Sequence, residues 1–156
     1  MASWQEIEKA VPDFAARVLA VMGTGKHKTM ATLRRDGSPR ISGTEVEFKD
    51  GEAWLGSMPG AMKALDLRRD PRIAVHSPSA DPPENPDAWQ GDAKLAGHVV
   101  EITDPEVIAG YGGPPGSSFH LFRIDIGEAV LTHVEGDELV ITSWTPGRGL
   151  REIRRK

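Results

Sequence analysis

The residues best placed to do chemistry are Ser57, Gly60 and Lys63, within the run Ser57-Met58-Pro59-Gly60-Ala61-Met62-Lys63. The local pattern puts them where a strand gives way to a helix. Free backbone N–H groups, a hydroxyl and an ammonium at such a junction suit an anion, a phosphate in particular. The same residues also make a plain turn followed by a solvated lysine, and taken alone they leave both readings open. A second stretch, Gly23-Thr24-Gly25-Lys26-His27-Lys28-Thr29, imitates a phosphate loop but breaks its pattern. Ala20 stands where that loop needs glycine, His27 where it needs Ser or Thr, and a strand follows instead of a helix. It reads as a basic linker.

The five histidines, His27, His76, His98, His120 and His133, form no pair at helical or strand ligand spacing, so no local metal motif is present. There is no Gly-x-Ser-x-Gly elbow for a serine nucleophile. The absence of cysteine excludes disulfides, thiolate metal sites and a cysteine nucleophile together. Arg148, Arg151, Arg154, Arg155 and Lys156 form a basic tail that reads as a solvated helical end. With a net charge of −4, nothing marks the chain as a nucleic-acid binder. The opening residues carry acids where a secretory signal needs a basic start, and the most apolar run, Phe14 to Met22, is interrupted by Arg17 and too short for a bilayer. A cytoplasmic protein without membrane contact is expected.

The elements that must hold these residues follow from the length and the punctuation. A chain of 156 residues suits one domain, and 17 glycines with 12 prolines favour short strands and turns over a helical bundle. Ser3 and Glu6 fit a capping box, and Trp4, Ile7, Val11, Phe14 and Val18 trace one helical face that Pro12 must interrupt. Residues 1–24 thus read as a helical appendage. From Lys28 the period changes. Thr29–Arg34, Arg40–Phe48 and Ala53–Ser57 read as strands joined at Asp36-Gly37-Ser38-Pro39 and Lys49-Asp50-Gly51. In the second of these Ser42, Thr44, Val46 and Phe48 share a face. Ala61–Arg69 suits a short helix, with Met62, Leu65 and Arg69 on one side. Further strands are expected at Ile73–His76, Lys94–Thr103, Phe119–Ile126, Ala129–Val134 and Glu138–Trp144, with loops over 77–92 and 110–118. These strands occupy 28–145, ahead of a basic tail over 146–156, and suggest a nearly closed antiparallel barrel.

The succession Ala31-Thr32-Leu33, Asp36-Gly37-Ser38-Pro39, Ser57 through Lys63 and Leu67-Arg68-Arg69-Asp70-Pro71-Arg72 resembles the pyridoxamine 5′-phosphate oxidase-like proteins. These are flavin-binding split β-barrels, with a branch that uses the deazaflavin coenzyme F-420. The resemblance spans Lys28 to Trp144. It implies a mainly β fold, a six-stranded antiparallel Greek-key split barrel with N-terminal helices and one short helix between strands. It also implies a homodimer with cofactor sites at the subunit interface, FMN or F-420 as cofactor, and hydride transfer to or from a small molecule. Carried over by residue, Ser57 and Lys63 would meet the cofactor phosphate, and Met58 would belong to the same cofactor site. The Ser42-Gly43-Thr44 strand would run along the ring system. Arg40, with Arg35, would sit at the site mouth, and Trp144 and Arg148 would reach in from the C-terminal strand. Met62, Ser42 and Glu47 depart from the family's phosphate-facing cations, leaving Lys63 alone of four. Each lost charge-assisted hydrogen bond costs roughly 1.5–3 kcal/mol, so pyridoxamine 5′-phosphate oxidation itself is not expected. The other reading on the same fold is a non-enzymatic carrier of flavin, deazaflavin or haem.

Overall fold

The computed structural model describes residues 1–112 and 119–156. Two helices open the chain, α1 (Trp4–Ala10) and α2 (Pro12–Met22). Ser3 and Glu6 form the anticipated reciprocal cap, and Pro12, which has no N–H to lose at a helix start, opens α2. The helices pack on the sheet. Trp4, Ile7, Phe14 and Val18 are buried in the same apolar cluster as the sheet residues Leu55, Phe122 and Ile124. Burying each such side chain contributes roughly 1.5–3 kcal/mol. The backbone of Ala2 bonds in both directions with Ile126, tying the start of the chain to the sheet.

Nine antiparallel strands follow among the described residues: β1 (Lys28–Leu33), β2 (Pro39–Thr44), β3 (Val46–Lys49), β4 (Glu52–Ser57), β5 (Arg72–His76), β6 (Asp92–Ile102), β7 (His120–Glu135), β8 (Glu138–Thr145) and β9 (Gly149–Arg155). Helix α3 (Met62–Arg69) lies between β4 and β5, and α4 (Pro105–Gly110) between β6 and β7. The order across the sheet is β2-β1-β5-β6-β7-β4-β3, with β8 on β7 and β9 on β8. Its two ends, β2 and β3, are consecutive in the chain, so the path returns on itself at Glu45 without a ladder joining them. Counting β2–β3 as one bent strand, the ring has six, which is the split-barrel class expected.

Three expectations change. Arg40–Phe48 is not one continuous strand: β2 pairs with β1 and β3 pairs with β4, and the chain crosses between them at Glu45. The inward alternation survives the crossing, because Thr44 and Val46 are both buried. Phe119–Ile126 and Ala129–Val134 fuse into β7, which absorbs the irregular step as one extra residue, Gly127, opposite the Ala96/Gly97 step of β6. The basic tail is no helix. It forms β9, paired with β8 from Thr145↔Gly149 to Leu139↔Arg155, so alternation and not a three-residue period governs it. The Met62–Leu65 side of α3 faces outward, while Ala64, Asp66 and Leu67 are buried. Most of the 110–118 loop lies outside the described residues.

Candidate functional site

A cleft of about 810 Å³ opens beside the junction of β4 and α3. Strand β4 brings Trp54, Gly56 and Ser57; the turn after it brings Met58 and Ala61, and the first turn of α3 brings Lys63. Gly43 and Thr44 come from the end of β2, and Glu45, Val46 and Glu47 from the crossing that follows. The linker before β1 adds Lys26 and His27 and the first residue of β1 adds Lys28, while Tyr111, Phe119 and Leu121 close the remaining side. The structure therefore gathers Gly43, Thr44, Ser57, Met58 and Lys63 at one place.

Ser42, Arg40 and Trp144 stand apart from that cleft. Ser42 points to the half-buried inner side of β2 farther along the strand. Trp144, on β8, is buried in the hydrophobic core. Arg40 is committed elsewhere. Its Nε donates to Asp66 Oδ2 at 2.7 Å, beside the Thr32 hydroxyl at 2.8 Å, and Arg69 Nη2 donates to Asp66 Oδ1 at 3.0 Å. Burial pushes the Asp66 carboxyl up, but the hydrogen bonds from Arg40, Thr32 and Arg69 outweigh it and hold the pKa below the ordinary carboxylate value. Arg35 and Arg148 are exposed at turns and line no part of the cleft.

Inside the cleft the polar groups are incompletely paired. Lys63 Nζ donates to the Gly43 carbonyl at 2.7 Å, and burial lowers its pKa. Lys28 is 8% exposed, and its ammonium donates to the carbonyls of Gly25 at 3.0 Å and Lys26 at 3.2 Å. Burial lowers its pKa too, with Glu45 acting in the opposite direction. Among the described residues neither ammonium lies within ion-pair distance of a carboxylate; Glu45 is paired with Lys26 at 3.6 Å. The Ser57 hydroxyl is buried without a hydrogen-bond partner among the described residues. A buried hydroxyl left unpaired costs roughly 1–3 kcal/mol, a cost that a bound acceptor or donor removes.

The walls are aromatic. Tyr111, the chain's single tyrosine, stacks on Trp54 with ring centroids 4.4 Å apart, and Lys49 Nζ lies 4.8 Å from the Tyr111 ring centre. Phe119 presses on Gly56 so closely that a Cβ there would stand 2.2 Å from its ring. Gly56 thus lets an aromatic ring rest directly on strand backbone.

The turn between β4 and α3 is held from behind by His120 on β7. Gly60, at φ +72°, donates its N–H to His120 Nε2 at 3.1 Å. A backbone N–H only donates, so Nε2 accepts from Gly60. On the other side of the ring Nδ1 lies 3.1 Å from Arg68 Nη2 and 3.6 Å from Glu101 Oε1, and Arg68 clamps that carboxylate through Nη2 at 2.6 Å and Nε at 2.9 Å. The Arg68 hydrogen bonds hold the Glu101 carboxyl below its ordinary pKa. The Gly60 amide, which the sequence suggested as a free phosphate donor, is thus spent on His120.

Lys28, Trp54, Tyr111 and Phe119 are cleft residues that sequence reasoning missed. For Lys28 a signal existed: it shares the inward parity of Met30 and Thr32 in β1, an unusual position for a charge. The aromatics carried no signal, because they come from three separate elements. Among the described residues no cluster of three or more His, Asp or Glu could hold a metal.

No protein-family model and no curated protein matches the sequence. Solved structures do. PhzG from Burkholderia lata, in complex with tetrahydrophenazine-1-carboxylic acid, superposes with a TM-score of 0.66 at 12% identity over 98% of this chain and 93% of that one. A pyridoxamine 5′-phosphate oxidase-related, FMN-binding protein from Nostoc punctiforme gives 0.63 at 12% identity, covering 96% of each chain. The chain has the split-barrel fold of the pyridoxamine 5′-phosphate oxidase-like, FMN-binding proteins. A heme-binding protein from Mycobacterium smegmatis has the fold as well, at 0.56 and 14% identity over 90% and 87% of the two chains. These similarities show the fold alone.

Proposed function

We propose that the cleft binds a flavin-type cofactor, FMN or the deazaflavin F-420, and that the protein is an oxidoreductase acting on a small molecule. The observation that carries this reading is the buried, unpaired Ser57 hydroxyl beside the Lys63 ammonium, under walls formed by Trp54, Tyr111 and Phe119. A ligand that answers all of them is planar and apolar at one end and anionic at the other. Lys63 has two N–H groups left after Gly43, and with the Ser57 hydroxyl they suit the oxygens of a phosphate. Lys26 adds positive charge from the linker in place of the strand cations the family carries. The aromatic walls and the half-enclosed volume exclude water from the ring. Such a cofactor supplies hydride transfer when bound; the chain's own residues bind and orient it.

A homodimer fits this reading. Ile41, 75% exposed, stands with Ala31, Ala74, Ala96 and Val130 around a shallow apolar depression of about 380 Å³ on the outer face of the sheet. A second copy seated there would cover it, and sedimentation velocity distinguishes dimer from monomer.

The test is titration of the purified protein with FMN, F-420 and haem, followed by absorption and fluorescence. Micromolar or tighter binding of FMN or F-420, weakened in Lys63→Met, is the expected result. Haem binding with neither flavin bound would make the protein a carrier, and binding of none of the three would overturn the reading.

A further inference from the structure

We infer that Lys28 is a second anion anchor in the cleft, taking the carboxylate of a small aromatic acid that binds beside the cofactor. The inference rests on the cofactor reading above, and its test is arranged to fail separately. Lys28 occupies an inward position of β1 between the linker and the core, where a charged side chain is expensive and an apolar one would pack. The structural role open to it is to tie down the linker, and its bonds to the Gly25 and Lys26 carbonyls do this. Those two bonds use two of its three N–H groups. The third has no acceptor among the described residues, Lys28 lines the cleft, and no carboxylate of the described residues stands within ion-pair distance of its ammonium.

The number of free donors decides what fits. A single N–H with one positive charge matches a carboxylate monoanion, whereas a phosphate needs the fuller set that Lys63 and Ser57 provide. The two ammoniums come from different walls, Lys28 from β1 and Lys63 from α3, so one small anionic group need not satisfy both. Glu45 and Glu47 also line the cleft. They disfavour an anion placed beside them, so an acid that binds needs the Lys28 charge. Trp54, Tyr111 and Phe119 supply the apolar surface that makes an aromatic acid a better occupant than an aliphatic one.

Benzoate serves as the probe, with benzyl alcohol as its neutral counterpart, each titrated by calorimetry into protein with and without saturating FMN. Wild type should bind benzoate. Lys28→Met should weaken benzoate at least tenfold, change benzyl alcohol and FMN by less than about threefold, and leave the thermal transition in place. Lys63→Met should do the reverse, weakening FMN and sparing benzoate. Equal loss of benzoate and benzyl alcohol in Lys28→Met would reduce Lys28 to a structural tie and overturn the inference. So would unchanged benzoate affinity, no benzoate binding by wild type, or loss of FMN in place of benzoate. If wild type fails to bind FMN yet binds benzoate in a Lys28-dependent way, the cofactor reading falls and the Lys28 anchor stands. Lys28→Arg, which keeps the charge, should retain benzoate binding.

Discussion

Helix α3 separates two groups of charges that differ in one respect. On its buried side Asp66 receives Arg40, Arg69 and Thr32, so that both carboxylate oxygens have donors and the cluster is closed. Toward the cleft, Lys63, Lys28 and Ser57 share no carboxylate, and the serine hydroxyl has no partner among the described residues. The first cluster is finished by the fold itself. The second is left open, and an open polar cluster costs stability unless something outside the chain completes it. The lesson is that charge in a cavity is not by itself a sign of function; charge lacking an internal counterpart is.

The comparison is broken most severely at Asp66. Asp66→Ala should destabilise the protein by about 3–5 kcal/mol, read from urea unfolding, because it leaves Arg40 and Arg69 facing a partly buried gap. The same carboxylate gives the pH dependence its sign. Its folded pKa lies below the unfolded value, so its contribution is fully present above about pH 4 and is lost as pH falls through the lower, folded value. Asp66→Asn should flatten that part of the acid limb in a pH series of unfolding midpoints; an unaltered limb would show that other carboxylates govern it.

On the open side the effects should fall on ligands and not on folding. Lys63→Met should raise the Kd for FMN about 10- to 100-fold, the equivalent of one charge-assisted contact, while stability stays within about 1 kcal/mol or rises, since a desolvated ammonium is removed. A large loss of stability in this variant would move Lys63 to the closed class. His120→Leu tests the brace behind the site: losing the Nε2 acceptor for Gly60 should raise the FMN Kd about 3- to 10-fold with Lys63 intact. The smallest change is expected for Ser57→Ala, about 2- to 5-fold in FMN affinity, with the ligand-free protein as stable as wild type or slightly more so.

Much of this was legible in the residues. The capping box at Ser3 and Glu6, the break at Pro12, the turns at Gly37 and Gly51 and the strand-to-helix step after Ser57 are signals spanning a few residues, and the structure realises each. Arg40 illustrates the opposite case. Its sequence neighbourhood marks it as a strand residue near the cleft, but its partner Asp66 lies 26 positions away and claims it. The tail misled for a similar reason: period-three arginines look helical until β8 offers a ladder that takes every residue from Gly149 to Arg155.

By itself, then, the sequence determined a nearly closed antiparallel barrel and the strand-to-helix junction at Ser57–Lys63, because turn chemistry and strand alternation are local properties of the chain. The split-barrel class came from the family resemblance. Only the tertiary structure decided which charges are spent and which remain. Pairing of Asp66 with Arg40, of Gly60 with His120, and the convergence of Lys28 with Lys63 on one cleft all depend on residues far apart in sequence. Whether a buried charge has a counterpart is a property of three-dimensional packing, and no spacing rule along the chain contains it.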